Sequence, residues 1–224
     1  MSWLLKGILC LTTMLGFNLA AQAATEAMGR THATLKVKAL LFDYVRLPEK
    51  MQKQMQDQVS EIYRKAGVEM EWAPCSTGEG QAERYPGCTG YEDATHVLLR
   101  IHPHVRKGMT SEAAGEAIVS ARIINVYWDR VQYEAVSLRV PALEVLAHII
   151  AHEIGHLLLG PNSHAPAGIM AARWRSRDLI HIFQGGLSFT PRECELIQAV
   201  RKRQDERGLS SPVSIPTDVP PKKE

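Results

Sequence analysis

Two histidines and a glutamate with the spacing His-Glu-x-x-His lie inside an apolar stretch at residues 147–160. They are His152, Glu153 and His156. On a helix, residues four apart point the same way, so both imidazoles can bind one zinc ion at about 2.0–2.1 Å. Glu153 then lies beside the metal, where its carboxylate can take a proton from a zinc-bound water. The pattern predicts a zinc site whose third protein ligand lies elsewhere.

His148 is the nearest further histidine, one helical turn before His152. It lies eight residues from His156, which corresponds to about 12 Å along a helix axis. That distance is too long for both side chains to bind the same ion. We therefore expect His148 to pack in the core or to support a ligand.

His164 is a better candidate for the third ligand. Gly160 can end the helix with a left-handed residue, because glycine adopts positive φ without a steric cost. The turn at residues 161–163 can then bring His164 back to the metal. Three histidines leave the fourth position open for water, as in catalytic zinc sites. Glu193 and Glu195 remain the alternative third ligands.

Residues 152–164 read His-Glu-Ile-Gly-His-Leu-Leu-Leu-Gly-Pro-Asn-Ser-His, and Gly-Ile-Met follows at residues 168–170. This segment resembles the metzincin metallopeptidases, which carry His-Glu-x-x-His-x-x-Gly-x-x-His and then a tight turn with a methionine beneath the zinc. The resemblance implies three zinc ligands, a general base and a Met-turn residue. By position these are His152, His156 and His164, Glu153, and Met170.

The segment differs from the metzincin pattern in its spacing. The glycine follows His156 by four residues rather than three, and His164 follows Gly160 by four rather than three. Asn162 stands where the strict spacing would put the histidine. We expect the extra residues to lengthen the helix or to widen the turn after it.

The resemblance also implies a fold and an activity. The fold is α+β, with a twisted mixed sheet, the active-site helix and a small C-terminal subdomain that ends in a helix. The activity is hydrolysis of peptide bonds in a peptide or protein substrate, held as an added strand along an edge strand. By chain order, residues 115–121 are the candidate edge strand. The Met-turn is followed by Arg173, Trp174 and Arg175, which are candidates to line the specificity pocket. For Trp174, the alternative role is to anchor the lower subdomain.

Length, composition and charge set broad limits. The chain has 224 residues, of which 45% are hydrophobic and 22% are charged, values that suit one globular domain. The formal charge of +2 gives no reason to expect binding to nucleic acid or to a membrane surface. We expect a monomer.

The N-terminus has the pattern of a secretory signal peptide. One lysine lies within residues 1–6, residues 7–19 are apolar, and Ala-Gln-Ala at 21–23 matches a cleavage site. The apolar run is shorter than the roughly 18–20 residues that span a membrane. The sequence therefore predicts a signal peptide at 1–23 and a catalytic domain at 24–208. We expect a secreted or periplasmic protein with no membrane span after cleavage. A disordered tail is expected at 209–224 because that segment is rich in Pro and Ser.

Three cysteines remain after the signal peptide. Cys75 and Cys88 flank a polar, Gly-rich loop, which a disulfide would hold together. An oxidising compartment permits such a bond. Cys194 lies in an apolar stripe with Leu196 and Ile197, so we expect a buried, inert thiol.

Periodicity places the motif among alternating strands and helices. A capping box, Thr-Pro-Arg-Glu at 190–193, marks the start of the last helix. Strands are predicted at 34–45, 68–72, 96–101, 117–119 and 123–128. Helices are predicted at 48–66, at 133–159 with an interruption at Pro141, and at 190–207.

Three functions fit these observations. The first is a secreted zinc endopeptidase. The second is a secreted metal-binding or interaction protein on a metzincin-like scaffold without proteolytic activity, which the altered spacing keeps open. The third is a globular domain whose helix carries the motif by chance.

Overall fold

The computed structural model describes residues 34–75, 88, 96–105, 113–174, 178, 181–182 and 187–206, without the side chains of 201 and 203–206. The expected signal peptide and C-terminal tail lie outside the described residues. The loop at 76–87 and Arg175 lie outside them as well.

Five strands form one mixed sheet in the described part of the chain, in the order β2-β1-β3-β5-β4. Neighbouring strands from β2 to β5 are parallel, and β4 runs antiparallel to β5. The expected α+β fold with a mixed sheet is confirmed. The strands are β1 (Leu35–Asp43), β2 (Val68–Cys75), β3 (His96–His102), β4 (Gly115–Ile118) and β5 (Ile123–Tyr127).

The helices agree with the predicted segments except at one boundary. The strand predicted to reach residue 128 ends at Tyr127, and the next helix begins at Trp128 rather than at 133. Trp128, Val131 and Ala135 repeat at three and four residues, so the helical period extends further back than we expected. The helices are α1 (Glu49–Lys65), α2 (Trp128–Leu138), α3 (Ala142–Leu159) and α4 (Pro191–Glu206), and a 3-10 turn covers Val119–Ala121.

Helices α1 and α3 pack together against one face of the sheet and form the main core. α3 carries the His-Glu-x-x-His motif and is buried on most sides, with a mean hydropathy of 1.4. Among the described residues it is the helix whose length and composition would suit a membrane span, and 67% of it is buried inside the protein. A core helix has these properties, and it gives the motif a rigid support.

The opposite face of the sheet carries a smaller apolar cluster of Leu40, Cys75 and Leu98. Cys75 forms the expected disulfide with Cys88, and their Cα atoms are 5.8 Å apart. The disulfide therefore fixes the end of β2 to Cys88, eight residues before β3.

The capping box at the start of α4 is confirmed. The Thr190 N–H donates to Glu193 Oε2 at 2.6 Å, and the Glu193 N–H donates to Thr190 Oγ1 at 3.3 Å. Ile197 faces the core, whereas Leu196 is 42% exposed and Cys194 is half-buried, so the apolar stripe is narrower than the sequence suggested.

Candidate active site

His152 and His156 lie one turn apart on α3 and direct their Nε2 atoms at each other, 3.1 Å apart. The His152 Nδ1–H donates to the Ile169 carbonyl at 2.8 Å. The His156 Nδ1–H donates to Ser163 Oγ at 3.0 Å, and that hydroxyl donates to the Gly160 carbonyl at 2.7 Å. Since these acceptors take the Nδ1 protons, both Nε2 atoms present lone pairs when the rings are neutral.

Two lone pairs that face each other at this distance repel unless a cation lies between them. Two ligands of a tetrahedral zinc ion at 2.0–2.1 Å are about 3.3–3.4 Å apart. The Nε2–Nε2 distance of 3.1 Å between His152 and His156 is close to that value. The donor set fits a metal ion of the size and preference of zinc.

His164 joins the two helical histidines from the loop after α3. One nitrogen from each of the three side chains lies within 4.8 Å of the other two. Gly160 makes the turn possible with φ +106° and ψ 167°, a conformation that is essentially restricted to glycine. It therefore has positive φ, as expected, but an extended backbone rather than the left-handed helical one.

The two alternative third ligands lie elsewhere. Glu193 is buried and caps α4, and Glu195 pairs with Arg192 at 3.0 Å on the surface. Neither carboxylate belongs to the histidine cluster. The structure therefore favours His164 over both.

Burial keeps the helical histidines neutral. It lowers the pKa of His152 to about 4, with further lowering from His156 and His164. It also lowers the pKa of His156, again helped by His164. Neutral imidazoles are the metal-binding form, so these side chains need not release a proton at neutral pH to bind a metal.

Glu153 is buried beside the histidines and lines the same cleft. Burial, together with the negative charge of Glu116, raises its pKa to about 8 in the metal-free protein. Glu116 lies on β4, where its Oε1 accepts hydrogen bonds from Asn125 Nδ2 and Tyr127 Oη, both at 2.8 Å. A carboxylate with a pKa near neutrality is suited to general acid–base chemistry.

Met170 is fully buried against α3 at Gly155. A side chain at Gly155 would collide with the Met170 sulfur, so glycine is needed for this contact. The Met170 carbonyl accepts from the Ala165 N–H at 2.8 Å, which links the turn at 168–170 to the residue after His164. The turn is thus held close to two of the three histidines.

His148 and Trp174 support the site from its side. As expected, His148 packs in the core: Nδ1 donates to the Glu144 carbonyl at 2.7 Å, and Nε2 accepts from the Leu187 N–H at 3.1 Å. Trp174 contacts His148 and His152 edge-on, and its Nε1 donates to the Ile169 carbonyl at 3.3 Å. The same carbonyl therefore orients both Trp174 and His152.

A cleft of about 780 Å³ leads to the histidines and Glu153. β4 forms one wall, the segment after Met170 forms another, and α2 contributes to the rim. Besides the histidines and Glu153 it is lined by Ala113, Ala114, Gly115, Glu116, Ala117, Glu134, Leu138, Val145, Ile149, Pro161, Ala171, Ala172, Arg173 and Trp174.

Ser163 was not identified from the sequence as part of this site, and Gly115 and Glu116 were expected only as part of the candidate edge strand at 115–121. Ser163 could have been suspected, since a metal-binding histidine almost always donates its other ring N–H to a nearby acceptor. No local pattern places Gly115 and Glu116 against Glu153, because they reach it only when β4 pairs with β5.

Two solved structures are similar to this chain. A zinc-dependent peptidase from Methanocorpusculum labreanum (strain Z) matches with a TM-score of 0.51 and 14% identity over 71% of this chain and 99% of that one. An archaemetzincin from Methanopyrus kandleri matches with a TM-score of 0.48 and 19% identity over 78% of this chain and 99% of that one. No protein-family model and no curated protein matches the sequence. At this identity, the first structure shows that the fold is shared.

Proposed function

We propose that this chain is a secreted zinc-dependent endopeptidase with Glu153 as its general base. The observation that carries the proposal is the pair of Nε2 atoms on His152 and His156, 3.1 Å apart, with His164 completing the cluster beside Glu153. The fold shared with a zinc-dependent peptidase supports it.

His152, His156 and His164 would hold the zinc ion, and the chemistry of the donor set fits it. When bound, zinc supplies a Lewis acid that acidifies water and polarises the substrate carbonyl. The remaining steps belong to residues of the chain.

Glu153 moves the proton in this mechanism. Its carboxylate takes a proton from the attacking water and then delivers it to the leaving amine. A nearby cation favours the charged form of a carboxyl group, so a metal at the histidines brings the pKa of Glu153 below the value of about 8 that the metal-free protein has. The ionised form, which acts as the base, is then favoured at neutral pH.

β4 is the candidate strand for substrate binding. It stands last in the sheet order and pairs antiparallel with β5 on one side, and its residues line the cleft. A peptide can add to such an edge through backbone hydrogen bonds, which places a peptide bond beside Glu153. Arg173, across the cleft in the segment after Met170, contributes to the specificity pocket in this proposal.

The proposed location is outside the cytoplasm. The signal-peptide pattern at residues 1–23 motivates it, and the Cys75–Cys88 disulfide is consistent with an oxidising compartment.

The test is hydrolysis of a mixed peptide library by the zinc-loaded protein beside Glu153→Gln. We expect about a 10²- to 10⁴-fold lower rate in the variant, with the same zinc per chain, and loss of activity in the wild type on chelation. One zinc per chain without turnover of any peptide would support the alternative, a metal-binding protein without proteolytic activity. The extra residue at each step of the motif favours that alternative. Absence of stoichiometric metal would contradict both.

A further inference from the structure

Gly115 on β4 lies in direct contact with the side chain of Glu153. A Cβ atom built on Gly115 would lie 2.9 Å from Glu153 Cγ, 2.9 Å from Glu153 Oε1 and 2.9 Å from Ile149 Cγ2. Carbon atoms in van der Waals contact are about 3.5–4.0 Å apart. The space that a side chain would need at position 115 is therefore occupied by the carboxylate arm.

β4 cannot easily move away from Glu153. Gly115 pairs with Val126 in the antiparallel ladder, and the Tyr127 N–H donates to the Ala114 carbonyl at 2.9 Å. The next residue, Glu116, is bound by two side chains of β5 that are 1–2% exposed. These contacts hold the backbone on both sides of Gly115.

Ile149 is also a poor candidate for movement. Its Cγ2 is attached directly to Cβ, and the residue is buried on α3, so that atom moves only with the χ1 rotamer or with the helix. Glu153, by contrast, is unbranched at Cβ, so rotation about χ1 and χ2 can move both Cγ and Oε1, whereas the β-branched Ile149 is stiff at χ1. An added side chain at position 115 would therefore displace the carboxylate of Glu153.

We propose that Gly115 is a positioning residue for Glu153. Because Gly115 has no side chain, β4 can approach α3 closely. The space beside Gly115 is then filled by the side chain of Glu153, which holds the carboxylate next to the histidines. The catalytic part of this proposal rests on the proposed function, whereas the contact itself does not.

The kinetic test is Gly115→Ala in the zinc-loaded protein. A displacement of about 1 Å costs on the order of 10²-fold in rate, so we expect kcat to fall about 10- to 100-fold. KM should stay within about twofold and the zinc content should not change, because the displaced group is the base and not a ligand or a substrate-binding edge. A raised KM with unchanged kcat would overturn the proposal, since it would assign the effect to the strand.

A second test uses thermal unfolding of the metal-free protein and needs no activity. Glycine weakens a strand by its flexibility, so alanine at position 115 would raise Tm if the site had room. We expect Gly115→Ala to lower Tm by about 2–10 °C through overpacking. In a Glu153→Ala background, which removes Cγ and Oε1, the loss should be clearly smaller, because two of the three close contacts are gone.

Ile149→Leu provides the matched background, since leucine keeps the volume but removes the Cγ2 branch. Two double-mutant cycles on Tm are compared, one combining Gly115→Ala with Glu153→Ala and the other combining it with Ile149→Leu. The coupling between positions 115 and 153 should be larger than that between positions 115 and 149. An equal loss in all backgrounds, or a larger coupling to Ile149, would overturn the proposal. If Gly115→Ala fails to fold, folding of Gly115→Ala/Glu153→Ala would support it, and failure of both would contradict it.

These readouts separate the two proposals. If the zinc-loaded wild type hydrolyses no peptide, the proposed function fails, while the unfolding cycle still decides whether Gly115 positions Glu153.

Discussion

The three histidines of the candidate metal centre come from two regions with different properties. His152 and His156 lie on the buried helix α3, and the Nδ1 atom of each is bound by a fixed acceptor. His164 is exposed and lies on the loop after Gly160. The helical pair is thus oriented before any metal binds, whereas His164 belongs to a segment that solvent can reach.

This difference has an energetic consequence. A ligand that the fold already holds in place loses little conformational entropy on binding, whereas an exposed side chain on a loop loses more. We therefore expect the helical pair to provide most of the metal affinity, and His164 to complete the coordination with a smaller share.

The largest effect is expected when the helical pair is broken. His156→Ala, like His152→Ala, should leave the dialysed protein without stoichiometric zinc, since the remaining ligands lie on different elements. The loss in affinity should exceed the 10- to 100-fold that supporting partners contribute. Elemental analysis of the dialysed variants measures it.

The matched control for this experiment is His104→Ala, because the His104 side chain is 79% exposed and lies outside the histidine cluster. Its zinc content should equal that of the wild type. Stoichiometric zinc in His156→Ala would contradict a site built on α3.

A smaller but clear effect is expected from His164→Ala. Zinc affinity should fall on the order of 100-fold, less than for either helical histidine, because the oriented pair remains. Competition with a chelator of known affinity measures the difference. An unchanged affinity would assign the third ligand to another residue, and a loss as large as that of His156→Ala would remove the distinction between the two regions.

The helical region could be predicted from the sequence, because its geometry is local. The four-residue spacing places His152 and His156 on one face of a helix whatever the rest of the chain does. The capping box at Thr190 and Glu193 is local for the same reason. The Cys75–Cys88 disulfide followed from the loop between the two residues.

The features of the site that could not be predicted depend on contacts between distant segments. Ile169 and Ser163 orient the histidines only once the loop after α3 has folded back. Residues 115–121 were expected to form the edge strand, but the contact of Gly115 with Glu153 depends on how β4 pairs with β5 and packs on α3. The start of α2 at Trp128 was missed because an apolar run before it suits a strand and a helix equally.

The buried helix should also make the stability of the protein depend on pH. Glu153, on the buried helix, has a pKa near 8 in the metal-free fold against 4.5 for its ordinary value. Between these values the unfolded chain has released the proton that the folded protein keeps, so the free energy of unfolding falls as pH rises from 4.5 to 8. Glu153→Gln removes this dependence.

Thermal unfolding of the metal-free proteins between pH 5 and 9 tests it. The Tm of Glu153→Gln should lie close to that of the wild type at pH 5 and exceed it by several degrees above pH 8. The gain in the free energy of unfolding should be at most about 5 kcal/mol. The same substitution at the half-exposed Glu134 is the control and should give a small difference at every pH. A pH-independent gain in Glu153→Gln would contradict the buried neutral carboxyl.

The smallest effect is expected where the loop supports the helix. Ser163 accepts from His156 Nδ1 at 3.0 Å, and the Gly160 carbonyl lies 3.3 Å from the same nitrogen. When Ser163→Ala removes the hydroxyl, the carbonyl can still accept the proton, so the tautomer of His156 is kept with a weaker hydrogen bond. Zinc affinity should therefore fall about 10-fold, at the lower end of the range for orienting partners.

Chelator competition measures this change, with Asn162→Ala as the control in the same turn, where no loss is expected. Equal affinities in Ser163→Ala and the wild type would mean that the Gly160 carbonyl alone orients His156. A loss as large as that of His164→Ala would mean that the loop contributes more through orientation than through coordination, because the hydroxyl touches only the helical ligand and not the metal.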